Sequence, residues 1–314
     1  MGRYIARRLL ATVLVLLLVT LISFSIMHMV PGDPAVVMAG VGASADQVQR
    51  IREQFGLGAP FLVRLGHWYA GLLRGDLGQS ILLGRSVAQA IGERLPATLS
   101  LASLAFVLTA GLGIALGTVA AIRPNTWVDH AVMSLAVVGV SVPGFWLGLI
   151  LIILFSVVVD WLPAGGYVPL AQGAGAWFRA LVLPAASLAL LQVGLLARIT
   201  RSTVAETLQE DYVRTARAKG LSTWVVVGRH AFGNATIPVM TVLGISTSLL
   251  LSGSVVVETV FSIPGLGRLM ATAILARDYP VIQGGLLVTA LLFVVINLAV
   301  DVLYAWLDPR IRYE

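Results

Sequence analysis

Six stretches of this 314-residue chain are long and apolar enough to cross a membrane as helices: Leu9–Val30, Ala97–Ile122, Ala131–Val159, Ala180–Ala197, Ile237–Val257 and Val281–Leu307. A span of the hydrocarbon core takes about 20 mostly apolar residues. Soluble domains carry about 25% charged residues, whereas here 11% are charged, 58% are hydrophobic and the mean hydropathy is +0.92. That leaves too little polar surface to cover a soluble particle of this size. The expected fold is all-α and polytopic, with about six transmembrane helices.

The first run follows Arg3, Arg7 and Arg8, as a signal peptide would. A signal peptide has an apolar region of only about 7–15 residues, ending near a small-residue cleavage site. This run is longer and leads into Pro31-Gly32-Asp33-Pro34, so it reads as a retained anchor.

The pI is near 10.2, yet the basic residues do not form a nucleic-acid stripe. They are Arg in the loops between apolar runs, with a single Lys, Lys219. Such a pattern sets membrane orientation, because Lys and Arg collect in short cytoplasmic loops. With the N-terminus inside, the inner segments hold twelve: Arg3, Arg7, Arg8, Arg123, Arg198, Arg201, Arg214, Arg217, Lys219, Arg229, Arg310 and Arg312. The short outer segments hold three, Arg179, Arg268 and Arg277. Both termini are therefore expected in the cytoplasm, and Pro31–Pro96 outside.

That outer segment has helix punctuation. Ser44-Ala45-Asp46-Gln47 fits a capping box, and Gly56 suits a helix stop. Pro60 suits a second helix start, with Phe61, Leu65, Trp68 and Leu72 on one face. Gly75-Asp76-Leu77-Gly78 reads as a turn. The segment is expected to be a small ordered cap. Within the membrane runs, the pairs Gly113 and Gly117, and Gly144 and Gly148, have the spacing that lets helix backbones approach closely.

The inner loop Arg198–Asn234 is the polar island of the second half. Thr203-Val204-Ala205-Glu206 fits a capping box there, and Asp211 suits the cap of a short helix through Lys219. Gly220 suits its left-handed stop, and Ser222 the cap of a second stretch before Pro238. Two short helices joined at a Gly would make a compact cytoplasmic knob. Small Thr215 and Ala216 between Arg214, Arg217 and Lys219 would allow close docking, with the charges fixing register.

Enzymatic chemistry finds little support. The chain has no Cys, so it offers no thiol nucleophile or zinc–thiolate site. His28, His67, His130 and His230 are widely separated, without metal-ligand spacing. Ser44 is better read as a cap than as a nucleophile, and Ser141 lacks the flanking Gly of a nucleophile elbow. A secondary transporter would want ionisable groups near the membrane midplane. The candidates Glu258 and Asp301 fall near the ends of their runs, as does Asp160. They read as interfacial groups or interhelix hydrogen-bond partners.

The segment Asp211-Tyr212-Val213-Arg214-Thr215-Ala216-Arg217-Ala218-Lys219-Gly220-Leu221 resembles the coupling-loop signature of the permeases of peptide-type ABC importers, and His230, Asn234, Ala235 and Pro238 continue the pattern. Pro31-Gly32-Asp33-Pro34 is similar to the start of that family's outer loop. Gly253-Ser254, Glu258, Phe261 and Pro264-Gly265-Leu266-Gly267-Arg268-Leu269 resemble its segment after the fifth helix. Asp278-Tyr279-Pro280, Asp301-Val302-Leu303-Tyr304 and Asp308-Pro309-Arg310-Ile311-Arg312-Tyr313 also fit. The closest resemblance is to the first of the two permease types in dipeptide, oligopeptide or glutathione importers, with the type I ABC importer fold. Many ABC permeases carry Glu-Ala-Ala six residues before the loop glycine. Arg214, Thr215 and Ala216 stand there in this chain, as in the peptide branch.

The resemblance implies a bacterial inner-membrane subunit working by alternating access. It implies a heterodimer with a homologous permease, two ABC ATPase subunits inside, and an extracytoplasmic peptide-binding protein outside. ATP and Mg²⁺ would act on the ATPases. The chain agrees on one point of its own: a phosphate-binding loop needs Gly-x-x-x-x-Gly-Lys-Ser/Thr, and its one Lys is followed by Gly220. The implied ATPase-coupling residues are Asp211, Tyr212, Arg214, Thr215, Ala216, Arg217, Lys219 and Gly220. An outer gate is expected around Glu258, Phe261, Pro264, Gly265 and Gly267, with Pro264–Leu269 irregular and a short helix following before Asp278. The expected organisation is residues 1–96, an anchor helix with its external region, and residues 97–314, a five-helix core with coupling loop 198–234.

Overall fold

The structure, a computed structural model, describes residues 2–29, 33–40, 42–54 and 56–307. Pro31-Gly32 and the tail from Asp308, with Arg310 and Arg312, lie outside them, as do the side chains of Asp301, Tyr304 and Asn234. The described residues form helices and turns, with one isolated bridge between Gln79 and Ser86. The helices are α1 (Gly2–Met29), α2 (Pro34–Ala39), α3 (Ala45–Gln54), α4 (Phe61–Leu72), α5 (Val87–Ile122), α6 (Trp127–Ser141) and α7 (Gly144–Ile152). They continue as α8 (Ala174–Thr207), α9 (Asp211–Ala218), the single turn α10 (Thr223–Val225), α11 (Phe232–Val260), α12 (Leu266–Ala276) and α13 (Tyr279–Leu307). Packing divides the chain into two compact units: the chain through Leu95 with Leu269–Val294, and Pro96–Arg268 with the chain from Val295.

Among the described residues, four helices are long and apolar enough to cross a membrane by themselves, in α5, α8, α11 and α13. The third apolar run, expected as one helix over Ala131–Val159, is instead a broken pair. α6 and the stretch Gly144–Val158 meet at a bend of 105°. The break follows from Pro143, which has no N–H to donate and biases its predecessor away from helix. Val142 is accordingly extended, at φ −94° and ψ 124°. Beyond α7 the backbone widens into a π-helical segment, Ile153–Val158. Both halves pack against α8.

In the first unit, the helix punctuation between Asp33 and Gly56 forms as expected. The Ser44 N–H donates to Gln47 Oε1 at 2.9 Å and the Gln47 N–H to Ser44 Oγ at 3.3 Å, a reciprocal capping box opening α3. Past α3, Gly56 adopts φ +59° and the Leu57 N–H returns to the Arg52 carbonyl at 2.9 Å. Asp33 accepts from the Ala35 N–H at 2.9 Å, capping α2, and pairs with Arg52. The Ala35 N–H and then Arg52 hold its carboxyl below the usual range. Helix α4 lies along α1: the Phe24 ring meets Phe61 and Trp68 at centroid distances of 5.4 and 5.6 Å, and Thr20 Oγ1 lies 2.9 Å from Tyr69 Oη. The α5 helix starts at Val87, ten residues ahead of the expected Ala97, and carries Pro96 inside it.

The second unit is built around α8, buried along most of its length. Its core gathers Leu101, Leu181, Leu188, Leu250, Phe261 and Ile263. Close approach of α5 explains the glycine spacing. A Cβ at Gly113 would lie 2.8 Å from Leu196 Cδ2, and one at Gly117 only 2.5 Å from the Ala197 carbonyl oxygen. At the far end of α8 the expected capping box at Thr203 does not form. The helix runs unbroken to Thr207, and the Thr203 hydroxyl donates to the Ile199 carbonyl at 2.9 Å. Residues 198–207 of the expected loop are therefore helix.

Candidate functional site

Two clusters gather the residues singled out from the sequence. In the first, α9 is a strongly amphipathic two-turn helix with Asp211 in its first turn and Arg217 in its last, the order that complements a helix dipole. Its buried face is Val213 and Ala216, which sit with Ala121, Val204, Leu208, Val226, Val227 and Ala235 in one apolar nest. Val213 is fully buried. The nest draws on the ends of α5 and α8 and the start of α11, so α9 is a seated helix whose outer face is exposed.

That outer face carries Asp211, Tyr212, Arg214, Thr215, Arg217, Lys219 and Gly220, all exposed. Ala216 was expected among them and faces inward instead. At helical spacing from Val213, it falls on the same side as the apolar nest. Asp211 is not the cap either. Glu210 holds the extended N-cap position without a side-chain bond, and Asp211 is the first helical residue, its carboxylate 3.3 Å from Arg214. Gly220 does stop the helix, at φ +80°. Ser222 precedes α10 as expected, and the chain then passes through a π-helical segment, Val226–Ala231, straight into α11. Sequence reasoning missed Trp224, 67% exposed beside exposed Leu221 and Val225. An exposed indole inside a polar island was the available signal.

In the second cluster, Glu258 near the end of α11 is 0% exposed. Its Oε1 accepts from the Thr98 hydroxyl at 2.6 Å, and its Oε2 from the Arg268 N–H at 2.9 Å. The Leu266 N–H donates to Thr98 Oγ1 at 2.8 Å. Gly265 and Gly267 are required here because a Cβ on either would run into the carboxylate. Phe261 is buried in the core, with its carbonyl accepting from the Gly166 N–H at 2.8 Å, and Pro264 is exposed. The irregular stretch is Phe261–Gly265; α12 begins at Leu266, so Leu266–Leu269, expected irregular, are helical. The short helix before Asp278 is present.

A third feature was not anticipated. Asp129 at the start of α6 accepts from Arg201 Nε at 3.0 Å and Nη2 at 2.7 Å, and from the Asn125 N–H at 3.0 Å. This fork-on-fork pair pins α6 to α8. Asp160, by contrast, is exposed, in a left-handed turn at φ +54°.

Comparison with known proteins gives a consistent result over the whole chain. The family model described as "Binding-protein-dependent transport system inner membrane component" matches residues 113–313, and its N-terminal counterpart matches residues 1–102. The chain is 51% identical over 314 residues, covering 100% of both chains, to a protein of Brucella abortus (strain 2308) named as a peptide transport system permease. It is 44% identical over 313 residues, again 100% of both, to a protein of Sinorhizobium fredii named as a probable peptide ABC transporter permease. It is 43% identical over 315 residues, 100% of both, to the Glutathione transport system permease protein GsiC of Escherichia coli O6:H1. With its all-helical architecture and membrane-length helices, the chain belongs to the family of inner membrane components of binding-protein-dependent transport systems.

Proposed function

We propose that this chain forms half of the translocation pathway of an ATP-driven importer of di- or oligopeptides, glutathione included. The peptide class rests on the names of the relatives. The partners are a homologous second permease, two ABC ATPases that bind ATP and Mg²⁺ on the cytoplasmic side, and an extracytoplasmic peptide-binding protein. Both termini and the 198–234 segment face the cytoplasm in this reading. The chain divides functionally into residues 1–96, the anchor with its external cap, and the core 97–314.

The observation that carries the reading is the seat of α9. Its apolar face is held in a nest drawn from three long helices, and its charged face is exposed. A push on the exposed face is thereby delivered to the ends of α5, α8 and α11, as alternating access requires. The stretch Phe261–Arg268 is the outer gate in this reading. A secondary transporter would need an ionisable group free to exchange its ion, whereas Glu258 is buried and accepts from the Thr98 hydroxyl and the Arg268 N–H in a fixed turn.

The test is the purified complex in nanodiscs with its binding protein. ATP hydrolysis should rise on adding a defined di- and tripeptide library or glutathione, and the isolated permease should bind no nucleotide. Stoichiometric nucleotide binding by this chain alone, or a complex deaf to all probes, would defeat the proposal.

A further inference from the structure

We infer that Thr98 is a positioning residue for the outer gate: its single hydroxyl fastens α5 to the turn between α11 and α12, so that helix and gate move as one body. This rests on the reading of Phe261–Arg268 as that gate.

The inference starts from the N-terminus of α12. The first N–H groups of any helix lack partners inside it, and usually a side chain at the preceding residue supplies one. The preceding residue here is Gly265, which has no side chain, and a Cβ would overlap the Glu258 carboxylate. Capping has therefore passed to distant parts of the chain. The Leu266 N–H is met by Thr98 on α5, and the Arg268 N–H by Glu258 on α11. Thr98 and Glu258 are themselves joined at 2.6 Å across 160 residues of sequence. Thr98 is buried, and its hydroxyl both donates and accepts, so it closes the circuit. Take that hydroxyl away and a buried carboxylate oxygen and a buried N–H lose a partner together, while the turn loses its polar tie to α5. The start of α12 is thus specified by where α5 stands.

Two substitutions separate this role from bulk packing. Thr98→Val keeps the shape and removes both bonds; Thr98→Ser keeps both bonds and trims a methyl. In the assembled complex with its binding protein, Thr98→Val should accumulate normally. Probe uptake should fall about tenfold or more, as expected for buried polar groups left unpaired, while ATP hydrolysis without peptide or glutathione rises toward the stimulated rate. Thr98→Ser should match wild type in both measurements. Gly265→Ala, which drives a methyl into the carboxylate with Thr98 intact, should behave as Thr98→Val does.

A wild-type complex that responds to the probes alongside an equally responsive Thr98→Val defeats the fastening role alone. So does a Thr98→Ser that fails as badly as Thr98→Val. Failure of both Thr98→Val and Gly265→Ala to reach the membrane overturns it as well, since the contact would then serve folding rather than coupling. A wild-type complex that no probe stimulates defeats the importer reading itself, and the gate inference falls with it.

Discussion

Gly220 shows how much one position can carry. Its φ is +80°, and a Cβ there would meet no heavy atom within 4 Å. Crowding is therefore not the constraint; the backbone angle is, at about 1–2 kcal/mol for a residue with Cβ and more for a branched one. Gly220→Val should leave the permease at normal abundance, because that cost is small beside its packed helices. It should reorient α9 and abolish uptake, with ATP hydrolysis no longer responsive to solute. Wild-type transport by this variant, assembled with its ATPases, would remove Gly220 from the coupling mechanism. The glycine was legible from its place after a basic turn. Ala216 beside it was read as a docking residue, yet it points into the nest with Val213. Which face of a two-turn helix is buried depends on neighbours that the local residues do not name.

Two capping-box patterns make the same point for whole helices. Ser44 and Gln47 form the reciprocal bonds because α3 begins there, after the turn at Gly42, and its first N–H groups need partners. Thr203 and Glu206 carry an equivalent pattern but inherit a helix already running from Ala174, so their N–H groups have partners and the hydroxyl turns back to Ile199. Likewise Pro143 was visible, yet Ala131–Val159 was long enough to pass for one span; contact of both halves with α8 stabilises the 105° bend. The pin between α6 and α8 yields a test. Arg201→Met strands Asp129, whose side chain is 3% exposed, and removing one partner of a buried pair costs more than replacing both. Thermal unfolding of the solubilised permease should show Arg201→Met well below wild type, by roughly 1–3 kcal/mol given the partial exposure of Arg201. Asp129→Asn combined with Arg201→Met should recover part of the loss; a double variant no better than the single would show that the pair is not the source of the stability.

For the molecule as a unit, the Arg and Lys distribution predicts sidedness, and the Cys-free chain allows a clean assay. A Cys placed at Ser44 should react with a membrane-impermeant maleimide only from outside, and one at Thr215 only from the cytoplasm. The opposite pattern would invert the topology and remove α9 from the ATPase side. The apolar runs, the helix stops at Gly56 and Gly220 and the short helix α9 were legible, because each depends on residues adjacent in the chain. The broken third span, the inward Ala216, the Asp129–Arg201 pin across 72 residues and the Thr98–Glu258 contact across 160 were not. Each joins groups whose meeting is set by how helices pack, and a polar side chain in an apolar run carries no mark of the partner that packing will bring to it.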